Sequence, residues 1–247
     1  MLKKYLPVFI VFLFGVLGCA STDTVESTKV SPSEIYQSYV INGTKNSTSV
    51  NATFRVGGST GSTVDLDAPA KVEHNGKEMN ESKPGFFKGT DYNDSVNQFV
   101  SNHKFRFTDA AGKVWENEIS LEGLEITSQN LSFSKTNGAT ITLSRAIGKD
   151  EKAEFSLVSD KTPPSTSGNT NSANKKPELN YSTSLQVNFD QTGTTAKIDS
   201  SSLKNFVDGK ASLMVTVHKN KSTQQAAKGG SMDFNYESQK VGVNVVN

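Results

Sequence analysis

The chain has 247 residues with 26 Lys and Arg against 25 Asp and Glu, so it is close to neutral. It lacks the basic field that nucleic-acid binding requires, and nucleic acid is therefore not an expected partner. Its single cysteine, Cys19, excludes an internal disulfide and a cysteine-based metal site. A hydrophobic core must therefore stabilise the fold, and the length suffices for one domain or two small ones.

The N-terminus has the organisation of a secretory signal peptide. Lys3 and Lys4 give a short positive region, and an apolar run follows at residues 5–17. The run is shorter than the roughly 20 residues that span a bilayer, so a permanent transmembrane helix is the weaker interpretation. We therefore predict that residues 1–18 are a signal peptide.

The end of this run, Val16-Leu17-Gly18-Cys19, resembles the lipobox of bacterial lipoproteins. The resemblance implies that the Cys19 thiol receives a diacylglyceryl group, that cleavage follows Gly18, and that the lipid bilayer is a partner. Stable anchoring takes two or more acyl chains, because one chain binds only marginally. The alternative is an ordinary signal peptide with a chance cysteine. Ala20 follows in place of an aspartate that would retain the protein in the inner membrane, which favours the outer membrane.

Most of the remaining chain alternates apolar and polar residues with a period of two. We predict that residues 19–35, rich in Ser and Thr, form a flexible lipidated tail. Beyond it, pairs such as Phe105 and Phe107, or Val243 and Val245, recur with polar residues between them. This alternation is typical of strands with one buried face, and no long segment carries a helical period.

Turn signals separate these strands. Asn75-Gly76 is a two-residue hairpin signal, and residues 109–112, from Asp109 to Gly112, fit a type I turn followed by a glycine bulge. Many short strands with such turns favour an all-β fold, an antiparallel immunoglobulin-like β-sandwich. With its lipobox, the chain resembles uncharacterised envelope lipoproteins that carry immunoglobulin-like domains.

A polar segment interrupts the strand pattern at residues 161–177. It contains prolines at both ends and no large apolar side chain, so we predict a flexible linker. A first β-sandwich domain would then occupy residues 36–160, and a second, smaller β module residues 178–247. The alternative is a long loop inside one domain, which is uncommon at this length.

No catalytic or metal-binding motif is evident. His74, His103 and His218 lie far apart in sequence, and none has a neighbour at metal-ligand spacing. The sequence contains no nucleophile elbow, no zinc-protease helix motif and no phosphate-binding loop. We therefore predict a protein that is not an enzyme and that needs no cofactor or metal. A hydrolase would require paired carboxylates at a shared cleft, which the sequence alone does not reveal.

One segment, residues 84–99, combines aromatic, amide and carboxylate side chains. Aromatic faces beside such groups can stack on a sugar ring and bind its hydroxyls. The alternatives are a small core beneath the loop and, for the polar residues, a solvated loop that lacks the full calcium-binding pattern. The candidate ligand-binding residues are Phe86, Phe87, Asp91, Tyr92, Asn93 and Asp94.

These features predict a lipid-anchored, non-catalytic binding or assembly module of the cell envelope, with an envelope protein or a glycan as partner. Assembly would use strand addition at an open sheet edge, and the last strand, within residues 239–247, would either close its own sheet or complete that of a neighbouring subunit. The second hypothesis is a carbohydrate-binding or carbohydrate-processing accessory that uses residues 84–99.

Overall fold

The fold was analysed in a computed structural model. The structure describes residues 24–83, 89–161, 179–223 and 228–247. The predicted signal peptide, Cys19, Phe86, Phe87 and the predicted linker beyond Lys161 lie outside the described residues.

The described residues form nineteen strands, three 3-10 turns and no α-helix. The strands of the N-terminal half are β1 (Thr24–Glu26), β2 (Ile35–Thr44), β3 (Ser47–Val56), β4 (Thr63–Asp65), β5 (Lys71–His74), β6 (Lys77–Glu78), β7 (Asn80–Ser82), β8 (Asp91–Val96), β9 (Asn102–Thr108) and β10 (Val114–Ser120). Those of the C-terminal half are β11 (Leu131–Ser134), β12 (Ala139–Thr142), β13 (Glu151–Ser159), β14 (Ser182–Leu185), β15 (Val187–Phe189), β16 (Thr195–Ile198), β17 (Gly209–Ser222), β18 (Gly230–Glu237) and β19 (Val241–Val246). The 3-10 turns are Ser27–Lys29, Pro32–Glu34 and Ser200–Leu203. Within these ranges no helix has the length and hydropathy needed to cross a membrane.

The strands form one long sheet and two short ones. The long sheet runs β1-β4-β3-β2-β18-β17-β13-β14, with β8 joining β3 to β7 and β19 joining β17 to β11. The short sheets are β10-β9-β5-β6 and β12-β16-β15. Three pairings in the long sheet are parallel, β1 with β4, β18 with β2 and β11 with β19, and its other pairings are antiparallel. The predicted all-β sandwich is confirmed, whereas the three parallel pairings make the long sheet mixed and not antiparallel throughout as expected.

Aromatic side chains fill the space between the long sheet and the β10-β9-β5-β6 sheet. The ring of Tyr39 on β2 stacks on Phe105 of β9 with 4.2 Å between centroids. Phe54 on β3 lies 4.6 Å from Phe107 of β9. All four rings are at most 1 % exposed, so each strand directs every second residue into this layer.

Strand β17 holds the two halves of the molecule together. One edge pairs with β13 along nine residues, while the other pairs with β19 at Gly209–Leu213 and with β18 at Thr216–Ser222. Strand β18 in turn pairs with β2. The predicted modules 36–160 and 178–247 therefore share one sheet and one core in this structure. Alternation identifies strands but not their partners, which explains why the sequence indicated a division at residues 161–177.

The described part of the predicted tail is ordered against the long sheet. Strand β1 pairs with β4, and the buried Ser27 hydroxyl accepts a hydrogen bond from the Asp67 backbone N–H at 2.9 Å. Residues 24–35 are therefore attached to the fold, in contrast to the flexible tail predicted for 19–35. Ser and Thr content indicated flexibility there, but hydroxyl groups also satisfy backbone donors.

Both predicted turns are present. Asn75 and Gly76 have φ values of 49° and 83°, the positive pair that a type I′ hairpin requires. In the second turn Gly112 has φ of 80°. There Asp109 Oδ1 accepts the backbone N–H groups of Ala111 at 2.9 Å and Lys113 at 3.0 Å. The side chain of Asp109 thus fixes the β9–β10 hairpin.

Candidate binding surface

Side-chain amides from neighbouring strands line up on the outer face of the long sheet. Asn80 on β7 lies opposite Asn93 on β8, which lies opposite Asn51 on β3. Asn42 on β2 lies opposite Asn235 on β18 and opposite Ser49 on β3, which is two residues from Asn51 and shares its face. Because paired residues project from the same face of a sheet, the register brings all five amides onto one surface.

Hydrogen bonds hold these amides in position. Asn51 Nδ2 donates to Asn93 Oδ1 at 3.0 Å, and Asn235 Nδ2 donates to Asn42 Oδ1 at 3.1 Å. His218 Nδ1 donates to Asn235 Oδ1 at 2.7 Å. An amide has two N–H donors and an oxygen with two lone pairs, so these contacts use only part of its capacity. The remaining donors and acceptors are available to a ligand.

Four of the five amides, all but that of Asn235, border a depression of about 330 Å³, which we call the amide-lined depression. Lys77 and Asp94 add one cation and one anion at its wall. Its neutral polar side chains are Asn42, Ser49, Asn51, Asn80, Asn93 and Ser95. The surface therefore offers many neutral donors and acceptors and little net charge.

The structure divides the predicted site residues between two faces of β8. Asn93 lines the amide-lined depression from the outer face, whereas Asp94 borders it while alternating to the inner face, where it contacts His74. Asp91 lies on the same outer face as Asn93, where its Oδ1 accepts the hydroxyl of Thr53 at 2.9 Å. Tyr92 alternates to the inner face and is 5 % exposed.

Tyr92 is a core residue and does not offer its ring to a sugar. Its ring meets Phe54 edge-on at 5.8 Å, and its hydroxyl accepts the Leu66 N–H at 2.7 Å. Burial raises the pKa of Tyr92. The expected stacking role at this position is therefore not supported, because the strand continues through Asp91–Val96 and its period of two turns Tyr92 inward.

Asp94 is one end of a buried hydrogen-bonded chain, which we call the Asp94 relay. Asp94 Oδ2 lies 2.8 Å from His74 Nδ1, and His74 Nε2 lies 2.8 Å from His103 Nδ1. His103 Nε2 lies 2.9 Å from the carbonyl oxygen of Val100. Asp94 belongs to the long sheet, whereas both histidines belong to the β10-β9-β5-β6 sheet. The relay therefore connects the two layers.

The sequence alone predicts no contact between His74 and His103. Their 29-residue separation carries no local signal. The alternation did contain a signal. His74 is two residues from the buried Val72 and His103 is two residues from the buried Phe105, so each histidine shares the buried face of its strand. A polar residue on an apolar face needs a hydrogen-bond partner there.

The buried position changes how the relay groups ionise. Burial lowers the pKa of His103 to about 4, although its hydrogen bond to the Val100 carbonyl acts in the opposite direction. For Asp94, burial alone would raise the pKa, but hydrogen bonds from His74 and the Ser95 N–H hold it below its ordinary value. His103 is therefore neutral and Asp94 is anionic at pH 7.

A larger groove of about 850 Å³ lies beside β10, the end strand of its sheet among the described residues. Acidic and basic side chains alternate around it, including Glu116, Arg106 and Lys219. Lys221 Nζ donates to the Glu118 carbonyl at 2.9 Å and so covers part of the edge. The mixed charge selects no ligand class. In the parts of the chain that the structure describes, no three His, Cys, Asp or Glu side chains are placed to hold a metal.

No protein-family model and no curated protein sequence matches the chain. Solved structures with some likeness include the Bacteroides ovatus mixed-linkage glucan utilization locus SGBP-B in complex with a mixed-linkage heptasaccharide, with 11 % identity over 86 % of this chain and 60 % of that chain, at a TM-score of 0.23. Others are PcdhgB3 EC1-4, with 9 % identity over 87 % and 50 %, at a TM-score of 0.22, and the Yersinia pseudotuberculosis adhesin InvE, with 12 % identity over 85 % and 60 %, at a TM-score of 0.22. The chain thus spans 50 to 60 % of the length of these structures, and the fold assignment rests on its own strand pairing.

Proposed function

We propose that the protein is a lipid-anchored, non-catalytic binding module of the bacterial cell envelope, held at the outer membrane through Cys19. The lipobox-like sequence Val16-Leu17-Gly18-Cys19 behind a short apolar run supports the anchor. The amide-lined depression supports the binding role. A rigid sheet that presents fixed polar groups needs no ordering of its side chains when a ligand arrives, which favours affinity.

The anchor is tested by Cys19→Ser. A serine hydroxyl is not a substrate for thioether formation, so the variant should lose all metabolic palmitate labelling and remain as an uncleaved precursor. The measurement is labelling followed by electrophoresis of the membrane fraction. Cys19→Ala is the matched control and should behave identically. Labelling that persists in both variants would show that the lipid is attached elsewhere or that no lipobox operates.

A glycan is the ligand class that the amide-lined depression favours. Each sugar hydroxyl can both donate and accept a hydrogen bond. Neutral amide and hydroxyl groups complement such a ligand better than strongly charged groups do. The volume of about 330 Å³ lies at the lower end of the range for small-molecule sites. The carbohydrate-binding hypothesis is therefore retained, with its site moved from the aromatic part of residues 84–99 to the surface around Asn51 and Asn93.

The double variant Asn51→Ala/Asn93→Ala tests this ligand class. We expect wild-type protein to retain members of a glycan array, and the double variant to bind the best of them at least about tenfold more weakly. Two lost hydrogen bonds of about 1 kcal/mol each account for such a loss. Asn188→Ala, an exposed residue of the separate sheet formed by β12, β16 and β15, is the control and should bind normally.

Two outcomes contradict the glycan assignment. Wild-type protein that retains no glycan would remove the ligand class, and equal binding by wild type and the double variant would place the glycan elsewhere. Concentration-dependent oligomers of wild-type protein that lack any glycan affinity would favour assembly by strand addition instead. Thermal melts of each variant ensure that a loss of binding is not a loss of fold.

A further inference from the structure

Each of the three contacts in the Asp94 relay requires a hydrogen between its two atoms. The Val100 carbonyl can only accept, so the 2.9 Å contact requires a hydrogen on His103 Nε2. An ionised Asp94 can also only accept, so the 2.8 Å contact requires a hydrogen on His74 Nδ1. Two neutral imidazoles carry two ring hydrogens in total, and both are now used.

The contact between the two histidines needs a third hydrogen. His74 Nε2 and His103 Nδ1 lie 2.8 Å apart, and without a hydrogen between them two nitrogen lone pairs would face each other. His74 is 3 % exposed and His103 is 0 % exposed, so water cannot relieve this repulsion. We infer that the Asp94 relay holds one proton beyond those of two neutral imidazoles, and that this proton joins the two sheets in a pH-dependent way.

The charge balance of the site supports a bound proton. With three hydrogens the relay is neutral overall, either as an Asp94 carboxylate beside a cationic His74 or as a protonated Asp94 beside two neutral rings. Lys77 Nζ, on β6, lies 3.7 Å from Asp94 Oδ1 and is the other charged group that faces the relay in the described part of the chain. The neighbouring strands β9 and β18 contribute the uncharged Phe105, stacked on His74, and Phe234, edge-on to His103.

The geometry locates the additional proton. His74 is the ring in direct contact with the Asp94 carboxylate, whereas His103 is one ring further away, so we assign the additional proton to His74. His74 then donates from both nitrogens, to Asp94 on one side and to His103 on the other. This arrangement places a cation and its counter-ion across the interface between the layers.

The bound proton links folding to pH with a definite sign. Unfolded histidine has a pKa near 6.5, so above about pH 7 the unfolded chain releases a proton that the folded relay retains. Stability is therefore greatest below that pH and decreases as pH rises until the relay itself loses its proton. Below about pH 6 the lowered pKa of His103 acts in the opposite direction, so the test belongs above pH 7.

The test is chemical unfolding of the full chain at pH 7 to 9, for wild type and for Asp94→Asn. Wild type should show an unfolding equilibrium constant that rises about tenfold per pH unit over part of this interval, as expected for one proton. In Asp94→Asn, the new amide can donate to His74 Nδ1 while its oxygen still accepts the Ser95 N–H. In this variant all the relay hydrogen bonds form with two neutral rings. Its unfolding equilibrium constant should therefore change less than about twofold between pH 7 and pH 9.

A nitrogen-detected NMR spectrum of the histidine rings at pH 7 gives an independent measurement that requires no variant. Wild type should show His74 with two protonated-type nitrogens and His103 with one. The half-exposed His218 provides the internal reference for a ring that exchanges with solvent. A flat wild-type pH profile or an equal slope in Asp94→Asn would each overturn the inference, and a spectrum with one unprotonated nitrogen on each relay histidine would overturn the assignment of the proton to His74.

Discussion

Val243→Asp should unfold the protein at room temperature. Val243 is 5 % exposed on β19, where it lies opposite Leu131 of β11 and Ala211 of β17. A carboxylate there has no partner among apolar neighbours, and we expect a loss of more than about 4 kcal/mol in the free energy of unfolding. Urea titration followed by circular dichroism measures it.

The adjacent residue provides the control. Asn244 is exposed on the other face of β19 and lies opposite Lys210, so Asn244→Asp should change the free energy of unfolding by less than about 0.5 kcal/mol. The pair also separates the two roles predicted for the last strand. Because β19 is paired on both edges within its own chain, it closes its own sheet. If both substitutions had equal effects, the assignment of the buried face would be wrong.

Phe234→Ala should destabilise strands that are remote from it in sequence. Phe234 lies on β18, is fully buried, and meets His103 edge-on at 4.8 Å and Phe99 at 6.2 Å. Removing a buried phenylalanine ring costs about 3–5 kcal/mol. Since its neighbours belong to residues 36–160, backbone hydrogen exchange in β9 should accelerate together with that in β18. Urea unfolding should remain a single transition, with its midpoint at a lower urea concentration.

Phe189→Ala is the matched control for this prediction. Phe189 is 42 % exposed on β15 and contacts Phe155 at 6.1 Å, so its removal should cost less than about 1 kcal/mol. An unchanged exchange rate in β9 of Phe234→Ala would mean that the two segments fold independently. That result would restore the two-module organisation predicted from the sequence and contradict the shared sheet.

The sequence predicted the parts of the fold that depend on local chemistry. Strand identity follows from alternation, as in Phe105 and Phe107, and turn geometry follows from residue type, as in Asn75 and Gly76. Pairing does not follow in this way, because any alternating strand can form a ladder with another. Only the structure shows that β18 joins β2 and thereby links the end of the chain to its beginning.

The candidate site illustrates the same limit. Asn93 and Asp94 were identified from their composition, yet Asn42 and Asn51 reach the same surface through strand pairing, without any motif. Tyr92 was assigned to the site because its neighbours are polar, whereas the alternation of β8 turns it into the core. Side-chain direction within a strand decides such cases, and it requires the strand boundaries to be known.

We propose that a ligand binds at the amide-lined depression, and the most direct test is an NMR titration of the full chain with the best-binding oligosaccharide from the array. The titration follows the side-chain NH₂ signals of asparagine. We expect the signals of Asn51 and Asn93 to shift with saturation, while that of Asn188 stays fixed. Shifts confined to the groove beside β10, or no shift of Asn51 and Asn93 at saturation, would contradict the claim.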